Sequence, residues 1–309
     1  MTNLFILGNG FDLAHGLPTK YSDFYNYLKS KHPNANENDV DYLLEPTLLP
    51  DGSEYYNPNQ VVAFLISMIS QTECRNGENW CDVENSLGQF DYWEFMDTID
   101  VFVGEEPNLF RKAYAYEDAV ANIHIPTTSI KILFSNWINS IAIDNCKLNY
   151  DFNKLIDKKS DLFLTFNYTT TLEEIYGVDE HNILHIHGVQ GEDIIFGHGV
   201  RNRRFDSYPT GSEHGLYDIH RSLEKDTGSI IKKNLDFLNN LEGIKNIFSY
   251  GFSFSKVDLP YIIEICNNLK KHNITWYLSD FEKKKIKEGY KRRIKECGFR
   301  GSFSEKFSI

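Results

Sequence analysis

The strongest constraint in this sequence stands near its start, where the apolar run Leu4–Leu7 enters Gly8-Asn9-Gly10 and leaves through Phe11 and Asp12. A strand that is apolar at every position is buried on both faces, as happens in parallel sheets covered by helices. A glycine turn directly after such a strand is the layout of a phosphate-cradling first βα turn. Gly8 and Gly10 match only the first two glycines of Gly-x-Gly-x-x-Gly, because position 13 is Leu, and turns of this kind also occur without a ligand. Asp12 is the discordant residue. A carboxylate in the first helical turn suits the helix dipole but repels a phosphate bound there, so Asp12 reads as a ribose ligand, a turn cap or a base.

The rest of the chain is consistent with a sheet that this first unit opens. A helix is expected after Pro18, through Phe24 and Leu28 to about His32. Residues 33–59 are rich in turn formers, and from Gln60 to Cys146 the apolar spacing turns helical, with Val61, Phe64, Leu65 and Met68 on one face. Helices are expected over Val83–Ile99, Leu109–Asn122 and Ile130–Ile141, the second stopping ahead of Pro126. Strand patterns return at Leu162–Phe166 and at Ile183–His187, where alternation puts His185 and His187 on one face. A long helix over Ile219–Leu241, weakened at Gly228, is followed by strand Asn246–Tyr250, helix Leu259–Lys270, strand Ile274–Leu278, helix Phe281–Glu296 and a short strand near Ser302–Phe307. Strand and helix in alternation mean parallel βαβ units. The expected fold is α/β, a Rossmann-like, mostly parallel sheet with a helical insertion after its first βα unit. Residues 1–32 and 155–309 form the sheet domain, and 33–154 the mainly helical insertion.

Composition narrows the function classes. A net charge of −12 argues against a protein that blankets nucleic-acid phosphates, which needs a basic face. The five cysteines, Cys74, Cys81, Cys146, Cys266 and Cys297, include no Cys-x-x-Cys pair, which suggests neither a disulfide framework nor a cysteine zinc site and fits a reducing cytoplasm. No leader-like start and no run near the ~18 apolar residues of a membrane span is present, so neither secretion nor membrane insertion is expected.

Several residues sit where an open parallel sheet meets its ligand. Asn167 and His187 follow strands directly, and Gly188 leaves room for a close approach. Asn167 equally suits an ordinary turn, and His185 reads as a structural histidine bonded to a backbone carbonyl. Three imidazoles, His185, His187 and His198, are able to bind zinc in principle, but no carboxylate or cysteine completes a motif and no metal is assigned. Trp80-Cys81-Asp82-Val83-Glu84 reads either as a helix start capped by Asp82 or as a segment delivering Glu84 to the sheet edge. Arg201–Arg204 lies in a polar stretch expected to be a mobile loop, and Lys283–Arg293 reads as the solvated face of a helix.

Together these pieces resemble the bacteriophage abortive-infection AbiH family. The resemblance is carried by Asn9-Gly10-Phe11-Asp12-Leu13-Ala14-His15-Gly16-Leu17-Pro18-Thr19, Trp80-x-Asp82-x-Glu84, Phe166-Asn167-Tyr168, His185-Ile186-His187-Gly188 and Tyr250-Gly251-Phe252-Ser253, in that order over nearly the whole chain. That family is similar in turn to the sirtuin-like group, whose glycine turn binds NAD, whose Asn orients ribose or water, and whose His before Gly is the base. By position the resemblance implies nucleotide contacts at Gly8, Asn9, Gly10, Phe11, Gly188, Gly251 and Ser253, and catalytic roles at Asn167 and His187, with Asp12 or Glu84 stabilising a developing cation. The chain departs from the sirtuin-like pattern at Phe11 and Asp12, where a small residue or Ser is usual, at Thr169, where Asp is usual, and in lacking the zinc cysteines. The resemblance therefore implies a cytoplasmic antiphage hydrolase acting on NAD or a related nucleotide, with no other cofactor; a phage-derived trigger and a homo-oligomer are compatible with it. The alternatives are a nucleotide-sensing module that signals to a partner, and a metal-dependent nuclease toxin.

Overall fold

The computed structural model describes residues 2–38, 40–75, 80, 82–104, 106–144, 146–269, 273–279 and 283–304. Cys81, and the outer ends of the helix and strand expected at Phe281 and Phe307, lie outside the described residues. The chain divides into two compact units, one of residues 1–20, 138–195 and 226–309, the other of residues 21–137 and 196–225. The helix after Pro18 and the stretch 196–225 thus group with the helical unit, whereas the sequence reading kept both with the sheet.

The first unit is built on six strands, β1 (Thr2–Leu7), β2 (Leu162–Thr165), β3 (Ile183–His185), β4 (Ile244–Tyr250), β5 (Thr275–Leu278) and β6 (Ser302–Ser304). Their order is 3-2-1-4-5-6 and every pairing is parallel, the arrangement of doubly wound Rossmann-like folds. Side chains alternate across β1: Leu4 and Ile6 join one core with Leu164, Ile247 and Trp276, while Phe5 and Leu7 join the other with Phe163 and Phe248. On the second face register aligns Phe163, Phe5, Phe248 and Tyr277 on neighbouring strands, with stacked ring centroids 5.1, 4.9 and 4.6 Å apart. Helices cover both faces: α1 (Asn9–Ala14), α2 (Tyr150–Leu155) and α3 (Thr171–Tyr176) bring Phe11, Phe152 and Tyr176 to the Phe5 face, and α4 (Thr227–Lys233), α5 (Leu235–Asn239), α6 (Leu259–Asn268) and α7 (Lys284–Glu296) close the other.

The second unit is mainly helical, with a short hairpin at Thr47–Leu48 and Glu54–Tyr55. Its core gathers Phe24, Phe134 and Trp137, with Phe196 stacked on Phe134. Several expected elements differ here. The helix expected over Val83–Ile99 is two, Val83–Leu87 and Trp93–Val103, because Gly88 presses on His198 and Val200 and leaves no room for a side chain. The helix from Leu109 runs through Pro126 to Thr128, where the Thr127 hydroxyl donates to Ile123 O (2.6 Å) and the Ser129 hydroxyl to Pro126 O (2.6 Å). The long helix expected over Ile219–Leu241 is three shorter ones, Glu213–Ser222, α4 and α5, since Asp226 caps a new start by accepting from Ser229 N–H (3.1 Å).

Candidate functional site

The glycine turn after β1 packs on the turn after β4. Gly8 N–H donates to Tyr250 O (3.1 Å) and Gly10 N–H to Gly251 O (3.0 Å). A side chain at Gly10 would sit 2.5 Å from Gly251 Cα, and Gly251, at φ +65°, would meet Phe11 N at 2.3 Å. Both glycines are therefore required for backbone to lie against backbone at the point where strand order reverses. Two of the amides a phosphate cradle offers are engaged with carbonyls. Gly188 answers a similar demand, at φ +85° with Asp193 O 2.0 Å from any Cβ, while Asn9 ties the turn to Thr19 O through its side chain (2.7 Å) and Ser253 stays exposed.

Phe11 is drawn into the aromatic core, and the helical turn that carries it directs Asp12 to the neighbouring strand's loop. Asp12 is 1% exposed. It accepts from Asn167 Nδ2 (3.1 Å), from the Thr169 hydroxyl (2.8 Å) and, at 3.5 Å, from the Thr171 hydroxyl. Burial outweighs these bonds and pushes its pKa up to about 7, while Thr169, Asn167, the charge of His185 and Thr171 pull the other way. A carboxyl buried at a sheet's carboxyl edge and near half ionisation at neutral pH is suited to accept and return a proton.

The Asn167 turn is fixed from several sides. Phe166 N–H donates to Leu7 O (2.9 Å), Asn167 N–H to the Thr165 hydroxyl (3.1 Å), and Gln190 N–H to Tyr168 O (2.8 Å). His185 bonds Asn167 O through Nδ1 (3.1 Å) and Glu173 Oε1 through Nε2 (2.7 Å). The strand stops at His185, where Gly188 N–H turns back to His185 O (3.2 Å), so His185 and His187 do not share a face as alternation implied. His187 joins another group at the same edge: its Nε2 lies 3.3 Å from the Tyr261 hydroxyl and 4.0 Å from Asp258 Oδ1, with the Phe166 ring edge-on at 5.5 Å. His15, part of the opening motif, is a tie between α1 and α3, with Nδ1–H donating to Phe11 O (2.7 Å) and Nε2 accepting from the Tyr176 hydroxyl (2.5 Å).

Glu84 belongs to the other unit. Asp82 caps its short helix by accepting from Asn85 N–H (3.2 Å), as the capping reading expected, and Glu84 Oε1 accepts from the fully buried Lys225 Nζ (2.7 Å). The Arg201–Arg204 stretch is anchored rather than free, since Arg203 donates to Gly88 O (3.1 Å) and Phe90 O and lies over the Phe205 ring. His198 stacks on His220 with centroids 4.3 Å apart; its Nε2–H donates to His220 O (3.0 Å) and its Nδ1 accepts from Val200 N–H (3.2 Å).

The structure therefore brings Asp12 and Asn167 together and adds Thr169, Thr171, His185 and Glu173. Thr169 stands two residues after Asn167 in the turn that the sequence singled out, and Thr171 lies two residues on. Among known proteins, the chain is similar to the family described as bacteriophage abortive infection AbiH, whose model matches residues 4–280. No curated protein and no solved structure matches it.

Proposed function

The chain belongs to the bacteriophage abortive-infection AbiH family, a family of phage defence, and from that premise we propose that it acts by hydrolysing the glycosidic bond of NAD or a related nucleotide. The observation that carries the reading is Asp12, a buried carboxyl with a pKa of about 7 held by an asparagine and two threonines at the edge where doubly wound sheets bind nucleotides. Cleavage of a nicotinamide–ribose bond passes through an oxocarbenium-like state, which calls for a placed water and a base rather than a strong nucleophile. In the proposed step the C1′–N bond breaks and its electron pair leaves with neutral nicotinamide. Water oxygen bonds to C1′, and Asp12 takes the water's proton, giving ADP-ribose. Asn167 orients Asp12, and His187 receives a ribose hydroxyl. Gly8, Asn9, Gly10, Phe11, Gly188, Gly251 and Ser253 border the same edge and would meet the nucleotide through their remaining groups.

The test is to incubate the purified protein, with and without extract of phage-infected cells, with NAD and with ATP, and to identify products by mass. Nicotinamide release that falls 10²-fold or more in Asp12→Asn supports the reading; undiminished release in Asp12→Asn and Asn167→Ala refutes it. Tight NAD binding by calorimetry with no product would instead make the site a sensor.

A further inference from the structure

The ring of His185 lies between two oxygen acceptors. Nδ1 faces the backbone carbonyl of Asn167 at 3.1 Å and Nε2 faces Glu173 Oε1 at 2.7 Å. Against a carbonyl and a carboxylate, either neutral tautomer would turn one nitrogen lone pair toward an oxygen; only a ring protonated on both nitrogens donates to both. The shorter of the two contacts has the length of a charge-assisted bond. Glu173 stands in the first turn of α3 and is partly buried, and its Oε2 is buried without a hydrogen-bond partner among the described residues. Its compensation therefore comes from the imidazole. The carbonyl that His185 holds belongs to the residue whose side chain donates to Asp12.

We infer that Glu173 and His185 form a positioning pair for the Asn167–Asp12 couple, with the His185 imidazolium fixing the Asn167 carbonyl and setting a positive charge beside Asp12. The pair touches no reacting atom of the proposed hydrolysis, on whose site this inference rests. Its effect reaches Asp12 by two routes: the backbone bond keeps the Asn167 amide aimed at the carboxyl, and the charge favours the ionised carboxylate, opposing burial. The other titratable groups around Asp12 are His15 on its own helix, engaged with Phe11 O and Tyr176, and Cys146, whose thiol is pushed up by burial and then by the charges of Asp12, Glu174 and Asp144.

Carboxyl ¹³C titration of the full-length protein without nucleotide tests this, with the Asp12 signal identified by its loss in Asp12→Asn. The wild-type midpoint is expected near 7, and His185→Gln should raise it by about one pH unit, as loss of a neighbouring opposite charge does. A merely structural role would lower melting temperature and leave the midpoint in place, which overturns the inference. Should the variant fail to fold, ring ¹⁵N shifts of His185 in the wild type at neutral pH give the answer. Two protonated nitrogens support the pair, and one overturns it. Neither readout depends on turnover. A protein that releases no nicotinamide yet shows both signatures would therefore sink the hydrolase reading and leave the pair standing.

Discussion

Replacing Asp12 with asparagine should make the sheet unit more stable, and increasingly so as pH rises. Asp12 carries a folded-state pKa of about 7 against an ordinary value of 3.8. A group whose pKa is raised on folding contributes stability fully present below its unfolded value and lost as pH rises through its folded value. In the wild type that loss is about 1.6 kcal/mol at pH 5 and about 4 kcal/mol at pH 8.5, at 1.36 kcal/mol per unit. Asparagine has no such ionisation. It can accept from Asn167 Nδ2 through Oδ1 and turn its amide to the Thr169 hydroxyl, which then accepts instead of donating. The advantage of Asp12→Asn over wild type should therefore widen by about 3 kcal/mol between pH 5 and 8.5.

Hydrogen exchange of the buried β1 amides of Phe5 and Ile6 reads opening of the sheet unit without contribution from the helical one. A widening gap between the two proteins is the expected outcome. Parallel pH curves for wild type and Asp12→Asn would mean that Asp12 is ionised in the fold across this range, and the argument for a poised proton acceptor would fall with it. Loss of activity together with a gain in stability would be the trade-off expected where a site holds a group against its own solvation.

Gly10→Ala places a methyl 2.5 Å from Gly251 Cα, so the two turns must part; a loss of about 1–3 kcal/mol in denaturant unfolding is expected, and an unchanged midpoint would show that the turns give way freely. Glu84→Gln removes the carboxylate that pairs with the fully buried Lys225 side chain, which should destabilise the helical unit by about 3–5 kcal/mol, with Lys225→Met added to the same chain restoring most of it. If the single variant lost under 1 kcal/mol, the pair would be contributing nothing. Burial, followed by the charge of His220, lowers the His198 pKa to about 4, so the helical unit should lose roughly 3 kcal/mol as pH falls from 6.5 through 4. Tyrosine or tryptophan fluorescence melts at graded pH would show this as a slope that His198→Phe flattens; an equal slope in the variant would assign the acid loss elsewhere.

The parallel sheet was legible because its signals are local. Leu4–Leu7 is apolar throughout, Leu162–Phe166 and Asn246–Tyr250 are mostly so, and each of the three is followed by a turn and a helix. Helix boundaries were less legible where a remote contact decides them. Gly88 is an ordinary helix-weakening residue until His198 and Val200 lie against it, and nothing near Pro126 announces that Thr127 and Ser129 will bond the carbonyls around it. The end of β3 depends on Gly188 taking a left-handed conformation, and without that turn alternation put two histidines on one face. The sequence suggests for His185 a histidine satisfied by a carbonyl, and it does bond one; its second partner, Glu173, sits twelve residues away on another element, beyond any local pattern.

Asp12 and Thr169 form one arrangement that neither position announces alone. In the fold the two side chains meet at 2.8 Å, hydroxyl donating to carboxylate, between the first turn and the Asn-Tyr turn. A carboxyl held on the first turn is covered by Asn167, Thr169 and Thr171 and ionises near neutrality, whereas the glycines that drew attention to this turn serve to seat it against Gly251. The chemistry of the site therefore turns on the residue that fitted the phosphate-cradle pattern least.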